Sequence, residues 1–151
     1  MKKFENINDI LDFAINEEQV AIDLYTTLAE NAKTDDIKQV FMEFVGEEIK
    51  HKVKLIKVKE EGTFPIEDEN IVDLKISDYM MDVKFHPEMK YEDALIFAMK
   101  KEKAAFKLYS TLAERAPDVQ IKKLFEQLAL EESKHKLRFE IEYDEYVLRE
   151  N

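Results

Sequence analysis

A chain of 151 residues, 45% hydrophobic and 38% charged, is long enough for one domain with a real core and too apolar to be disordered. Its formal net charge of −11 argues against nucleic acid and anionic membrane as partners, which need basic surfaces, and is compatible with cation binding. The absence of cysteine excludes disulfides, a thiolate nucleophile and any thiolate-ligated iron or zinc. Two glycines and three prolines are few breakers for this length, so long helices are expected rather than strands. The start, Met1-Lys2-Lys3 followed by Phe4-Glu5-Asn6-Ile7-Asn8-Asp9, carries no apolar signal segment, and no apolar run reaches transmembrane length. The expected location is the cytoplasm.

Helical periodicity runs through the chain in four segments. The first spans about 8–32, with Asn8 as expected N-cap and a stripe of Ile7, Leu11, Ala14, Ala21, Tyr25 and Leu28. The second spans about 35–60, capped by Thr34 or Asp35 and stopped by Gly62, with Ile37, Phe41, Phe44, Leu55 and Val58 on one face. A connection over 61–90 contains Gly62, Pro65 and Pro87 and has room for a short helix near Asp73–Met81. The third helix spans about 91–115 and carries Leu95, Ala98, Ala105, Tyr109 and Leu112. The fourth spans about 118–147, after Pro117, with Ile121, Phe125, Leu128 and Phe139, and ends in Tyr143 and Tyr146.

The third and fourth segments repeat the first two. A shift of 84 residues aligns 8–52 with 92–136 without gaps and gives 21 identities in 45 positions. Leu24-Tyr25-x-Thr27-Leu28-Ala29-Glu30 returns as Leu108-Tyr109-x-Thr111-Leu112-Ala113-Glu114. Glu47-Glu48-x-Lys50-His51-Lys52 returns as Glu131-Glu132-x-Lys134-His135-Lys136. Two copies of a helical hairpin make one bundle, not a solenoid. Short, long and short connections predict an all-α antiparallel four-helix bundle with one long crossover between helices 2 and 3, a single domain over 1–151.

The apolar stripes are interrupted by charge at six places. Glu18 lies between Ala14 and Ala21, Glu102 between Ala98 and Ala105. Glu48 and His51 lie between Phe44 and Leu55, Glu132 and His135 between Leu128 and Phe139. Each points at the core, where a lone carboxylate costs several kcal/mol or stays protonated. Glu18 and Glu48 are both 15 residues from a turn centred near Lys33; Glu102 and Glu132 are both 15 residues from one near Pro117. At ~1.5 Å per residue all four lie ~22 Å from their turns, at one height. Two divalent cations would balance four carboxylates. Residues three apart share a helix face, so each Glu-x-x-His can reach one ion. One Glu from each of two helices and Glu-x-x-His from each of the others form the ligand set of di-iron and di-manganese carboxylate bundles. Mixed oxygen and imidazole donors suit iron or manganese, and zinc fits the same geometry.

Glu18-x6-Tyr25, Glu48-x-x-His51, Glu102-x6-Tyr109 and Glu132-x-x-His135 resemble the di-iron domain of rubrerythrins and related ferritin-like proteins over about 8–147. The resemblance implies that Glu48 and Glu132 bridge two iron ions. It implies that Glu18 and Glu102 are terminal ligands and that His51 and His135 bind one metal each. Tyr25 and Tyr109 would stand behind the ligands and hydrogen-bond carboxylates. The best-known rubrerythrins also carry a rubredoxin domain with four cysteines, and an extra carboxylate one turn after the third-helix ligand. This chain has no cysteine, and Ala105 occupies that position. It looks closer to stand-alone members, and electrons would come from an external donor such as a rubredoxin.

Among the remaining charged residues, Glu17, Glu47 and Glu131 read as solvated neighbours of the ligands, and the lysines of 50–59 as a solvated face. His86 reads as a surface loop histidine, and Met80-Met81 as a cover for one side of the bundle or a dimer contact. The leading functional expectation is an oxidoreductase that reduces hydrogen peroxide or dioxygen and protects against oxidative stress. The alternatives are a ferroxidase or iron-handling protein, and a non-catalytic bundle stabilised by its metal. A homodimer, domain-swapped through the long crossover, is the expected assembly.

Overall fold

The computed structural model describes residues 4–64, 79, 86 and 88–150. Four helices account for nearly all of them: α1 (Ile7–Glu30), α2 (Asp35–Glu61), α3 (Tyr91–Glu114) and α4 (Val119–Glu150). α1 packs on α2 and α3 on α4 as two hairpins, and α1 meets α3 across the bundle. This is the expected antiparallel four-helix bundle. The supposed short helix near Asp73–Met81, the Met80-Met81 contact, Pro65 and Pro87 lie outside the described residues. Among the described residues no helix is long and apolar enough to cross a membrane.

The helix ends follow local hydrogen-bonding chemistry. Asn6, not Asn8, caps α1: its extended backbone lets the side chain accept from the Asp9 N–H at 2.9 Å, leaving Asn8 inside the first turn. Thr34 caps α2 by accepting from the Ile37 N–H at 3.2 Å. Its repeat equivalent Asp118 accepts from the Ile121 N–H at 2.9 Å, so both second helices start on the same device. Lys90, the counterpart of Asn6, makes no side-chain cap bond. Gly62 ends α2 in the left-handed region, φ 61°, where its N–H reaches the Lys59 and Val58 carbonyls.

Two apolar clusters form the core. One gathers Leu11, Ala14, Leu55, Tyr109, Leu112, Phe125 and Leu128. The other gathers Tyr25, Leu28, Phe41, Leu95, Ala98 and Phe139. Phe41, Phe125 and Phe139 are fully buried, each contributing on the order of 2–3 kcal/mol of burial. Phe44 is only partly buried and lies flat against the His135 ring, centroids 4.1 Å apart. Together the clusters enclose a layer of buried charged side chains.

Candidate metal centre

Glu18, Glu48, His51, Glu102, Glu132 and His135 are all at most 2% exposed. Each lies on its helix at a position that would otherwise hold a core hydrophobe. The structure brings all six together. Glu18, Glu48, His51 and Glu132 form one quartet with ligand atoms within 4.8 Å of one another; Glu48, Glu102, Glu132 and His135 form another. Glu48 and Glu132 belong to both, so they stand between two adjacent cation positions. Glu18 with His51 flanks one position, and Glu102 with His135 flanks the other.

The donor set fits a pair of divalent cations. Seven buried polar atoms in this layer have no hydrogen-bond partner: Glu18 Oε2, both Glu48 oxygens, His51 Nδ1, Glu102 Oε2, Glu132 Oε1 and His135 Nδ1. Buried polar atoms of native proteins are almost always satisfied, so a whole set of orphans shared between these two quartets fits bound cations. Without one, protons must share the layer. Burial pushes the Glu48 and Glu102 carboxyls well above the usual carboxylate range, and the neighbouring Glu132 charge adds to it. Burial alone would lower His51, but the Glu132 and Glu18 carboxylates outweigh it and raise the imidazole to about 10. Burial alone would raise Glu132; the close approach of the His51 imidazole and of the neighbouring carboxyls brings it down to about 2.

Each imidazole turns Nδ1 into the layer and Nε2 toward the opposite hairpin. His51 Nδ1 lies 2.9 Å from Glu132 Oε1, at ion-pair distance without hydrogen-bond alignment, and 3.7 Å from Glu18 and Glu48. His135 Nδ1 lies 3.0 Å from Glu48 and 3.6 Å from Glu102. On the far side, His51 Nε2–H donates to Glu131 at 2.7 Å, and His135 Nε2–H donates to Glu47. Glu47 and Glu131 are therefore not free solvated neighbours, although each stays partly exposed. They point about 100° away from the ligand face of their own helix, and that direction is where the other second helix presents its histidine. An outer carboxylate of this kind sets the tautomer and raises the basicity of a coordinating imidazole.

The tyrosines also cross between hairpins. Tyr25 on α1 donates its hydroxyl to Glu102 Oε1 on α3, and Tyr109 on α3 donates to Glu18 Oε1 on α1. Burial, then the Glu18 charge, pushes the Tyr109 phenol well above its usual value, so it remains a donor.

Three further polar residues escape a reading of the stripes. Lys101 is 6% exposed, and its ammonium pairs with Glu17, which is therefore not simply solvated. The two occupy equivalent positions of the repeat, on helices that face each other, so opposite charges replace what symmetry would make a like pair. Burial lowers Lys101 to about 8, against the pull of Glu132. Glu142 is fully buried and accepts from the Tyr91 hydroxyl at 2.7 Å, near the opposite end of α4. A cavity of about 20 Å³, room for one water, opens beside Glu18, Glu48 and Glu132 and is also lined by Lys101, Ala105 and Tyr79. His86 is exposed, as expected of a loop histidine, and its Nδ1 accepts from the Glu88 N–H at 3.1 Å.

Comparison with known proteins agrees with this geometry. A solved structure of a hypothetical protein from Pyrococcus furiosus is similar with a TM-score of 0.72 and 27% identity, over 89% of this chain and 86% of that one. None of the curated proteins matches the sequence. The family model described as rubrerythrin matches residues 9–143, across both hairpins and every residue of the buried layer. The chain belongs to the rubrerythrin family.

Proposed function

We propose that the protein is a di-iron carboxylate oxidoreductase that reduces hydrogen peroxide or dioxygen, with electrons from an external donor protein such as a rubredoxin. The observation that carries this reading is the pair of quartets sharing Glu48 and Glu132, with a small cavity against one of them. In this reading Glu18, Glu48, His51, Glu102, Glu132 and His135 hold the metals. Iron held by these residues would supply the electrons and the Lewis acidity that reduction of peroxide or dioxygen needs. Reduction of hydrogen peroxide to two waters takes up two electrons and two protons.

The chain's own part is positional. Glu131 and Glu47 hold Nδ1 of His51 and His135 toward the layer by accepting from Nε2. Tyr109 and Tyr25 restrain one oxygen of Glu18 and of Glu102, leaving Oε2 of each toward the layer. The apolar clusters on either side keep bulk water away. The cavity beside Glu18, Glu48 and Glu132 is small, which favours a diatomic oxidant over a bulky organic substrate.

The test is stopped-flow oxidation of anaerobically reduced, iron-loaded protein by hydrogen peroxide, followed in the near ultraviolet. The expected result is oxidation at least ten-fold faster than with the Glu18→Ala, Glu102→Ala double variant under equal iron. Equal rates would reject the redox reading and leave a structural metal.

A further inference from the structure

We propose that Lys101 sets the ligand preference of the cavity beside the metal layer: its ammonium receives a small monoanion there, and Glu17 is the counterion that the anion displaces. The cavity lies on the seam between α1 and α3 and reaches the buried Glu18, Glu48 and Glu132. Ala21 and Ala105, equivalent positions of the repeat, line it with small side chains that leave the space. Glu17 and Lys101, also equivalent positions, line it as an ion pair. Lys101 has this role if, as proposed above, the layer holds two divalent cations.

Burial decides which partner moves. Lys101 is 6% exposed, whereas the Glu17 side chain is 29% exposed. Glu17 can turn out to water. The ammonium it leaves behind then needs another anion, since a buried charge is rarely left unpaired. Stability does not account for the pair, because a buried ion pair is often no better for folding than apolar side chains of the same volume. Nor does the repeat: symmetry would set like residues at these two positions, and the chain instead has one cation at the cavity.

Charge selects the ligand. Four carboxylates balance two divalent cations, and Glu17 balances Lys101, so layer and cavity wall are neutral together. An entering monoanion adds one negative charge, and turning Glu17 outward removes one. An entering cation has no such exchange and meets the ammonium where water screens little. The ammonium brings three N–H donors and no acceptor, which suits an anion. It is near enough to feel the Glu132 carboxylate, so it serves the ligand side of the cavity. Of the two oxidants proposed above, peroxide, which becomes an anion on losing a proton, matches this site better than neutral dioxygen.

The test is binding of fluoride, a monoanion of water's size, to Co²⁺-loaded protein near neutral pH, read from broadening of the fluorine resonance by the paramagnetic ion. Wild type is expected to bind it. Lys101→Met keeps the volume and is expected to weaken fluoride about ten-fold or more, the usual effect of losing a hydrogen bond to a charged group. Glu17→Gln removes the competing charge and is expected to tighten fluoride about three-fold, the scale of a partly exposed ion pair. Opposite shifts are what a purely structural pair would not give, since either variant would then loosen the same seam. Suppose two Co²⁺ bind per chain. Equal fluoride affinity in wild type and Lys101→Met, a shift of both variants in the same direction, or no fluoride bound at all would then overturn the proposal and leave the metal reading standing. No uptake of Co²⁺ would overturn the metal reading and the proposal with it. The stopped-flow comparison above decides the redox reading separately. Circular dichroism of each variant separates loss of binding from loss of fold.

Discussion

Tyr109 donates its hydroxyl to Glu18, 91 positions earlier and on the other hairpin, and Tyr25 returns the contact to Glu102 across the same α1–α3 seam. Replacing either tyrosine with phenylalanine keeps the ring in the core and removes only this donor. Tyr109→Phe is expected to lower affinity for a divalent probe such as Co²⁺ about ten-fold or more, the usual effect of losing an outer partner of a ligand. Calorimetric or optical titration checks this. Unchanged affinity for both Tyr25→Phe and Tyr109→Phe would mean that the carboxylates need no such restraint.

The outer carboxylates make a graded set. Glu131 is 26% exposed and Glu47 is 44% exposed, so the His51–Glu131 bond is the better shielded of the two. Glu131→Ala is expected to cost about 10–100-fold in metal affinity, and Glu47→Ala less. Glu131→Gln keeps an acceptor and is expected to recover part of the loss. The same titrations decide, with metal stoichiometry remaining at two per chain.

The metal-free protein should lose stability as pH rises. Glu48 and Glu102 have raised folded values, so their contribution is complete below about 4.5, the ordinary glutamate value, and declines as pH climbs through the folded values. His51 acts in the same direction: its contribution is full below about 6.5 and is lost on passing about 10. Glu132, lowered to about 2, stabilises above 4.5 and ceases to do so only in strong acid. Scanning calorimetry of chelated protein between pH 5 and 10 is expected to show a falling Tm. Metal-loaded protein should not follow that slope, because the ions replace the protons. Loading at neutral pH should release protons, visible as a buffer-dependent binding enthalpy. A Tm of the chelated form that is flat or rising over this range would contradict the charge distribution.

Lys101 and Glu17 test what one buried ion pair does here. Glu17→Ala leaves a nearly buried ammonium without its partner and is expected to destabilise by about 3 kcal/mol. Lys101→Met fills the same volume without charge and is expected to cost under about 1 kcal/mol. The double variant should then be more stable than Glu17→Ala alone. Urea unfolding of the three variants gives the comparison; equal stability of Glu17→Ala and wild type would show that water already reaches the ammonium.

The legible part of this molecule was whatever one helix face records. Charges breaking an apolar stripe, repeated at the same distance from two turns, place six residues at one height, and the structure holds all six in one buried layer. What crosses a seam was not legible. Tyr25 and Glu18 share a face of α1, yet Tyr25 bonds Glu102, because the register between α1 and α3 is set by packing that no single helix encodes. Glu47 and Glu131 looked solvated for the same reason: their own helix points them off the core, and only the neighbouring helix brings a histidine to them. Lys101 follows the same rule: it stands next to Glu102 in sequence, and only the facing helix brings Glu17 to it. The α1 cap shifted from Asn8 to Asn6 because both are good caps and the choice depends on where the Asp9 N–H points.

Each quartet takes donors from both hairpins: three from the first and Glu132 in one case, three from the second and Glu48 in the other. An ion seated in either place is thus a cross-link, tying together halves that the polypeptide joins only through the long crossover. In the loaded protein that covalent tether becomes redundant. A chain cut between α2 and α3 should remain one particle while its metals are bound and come apart when they are chelated.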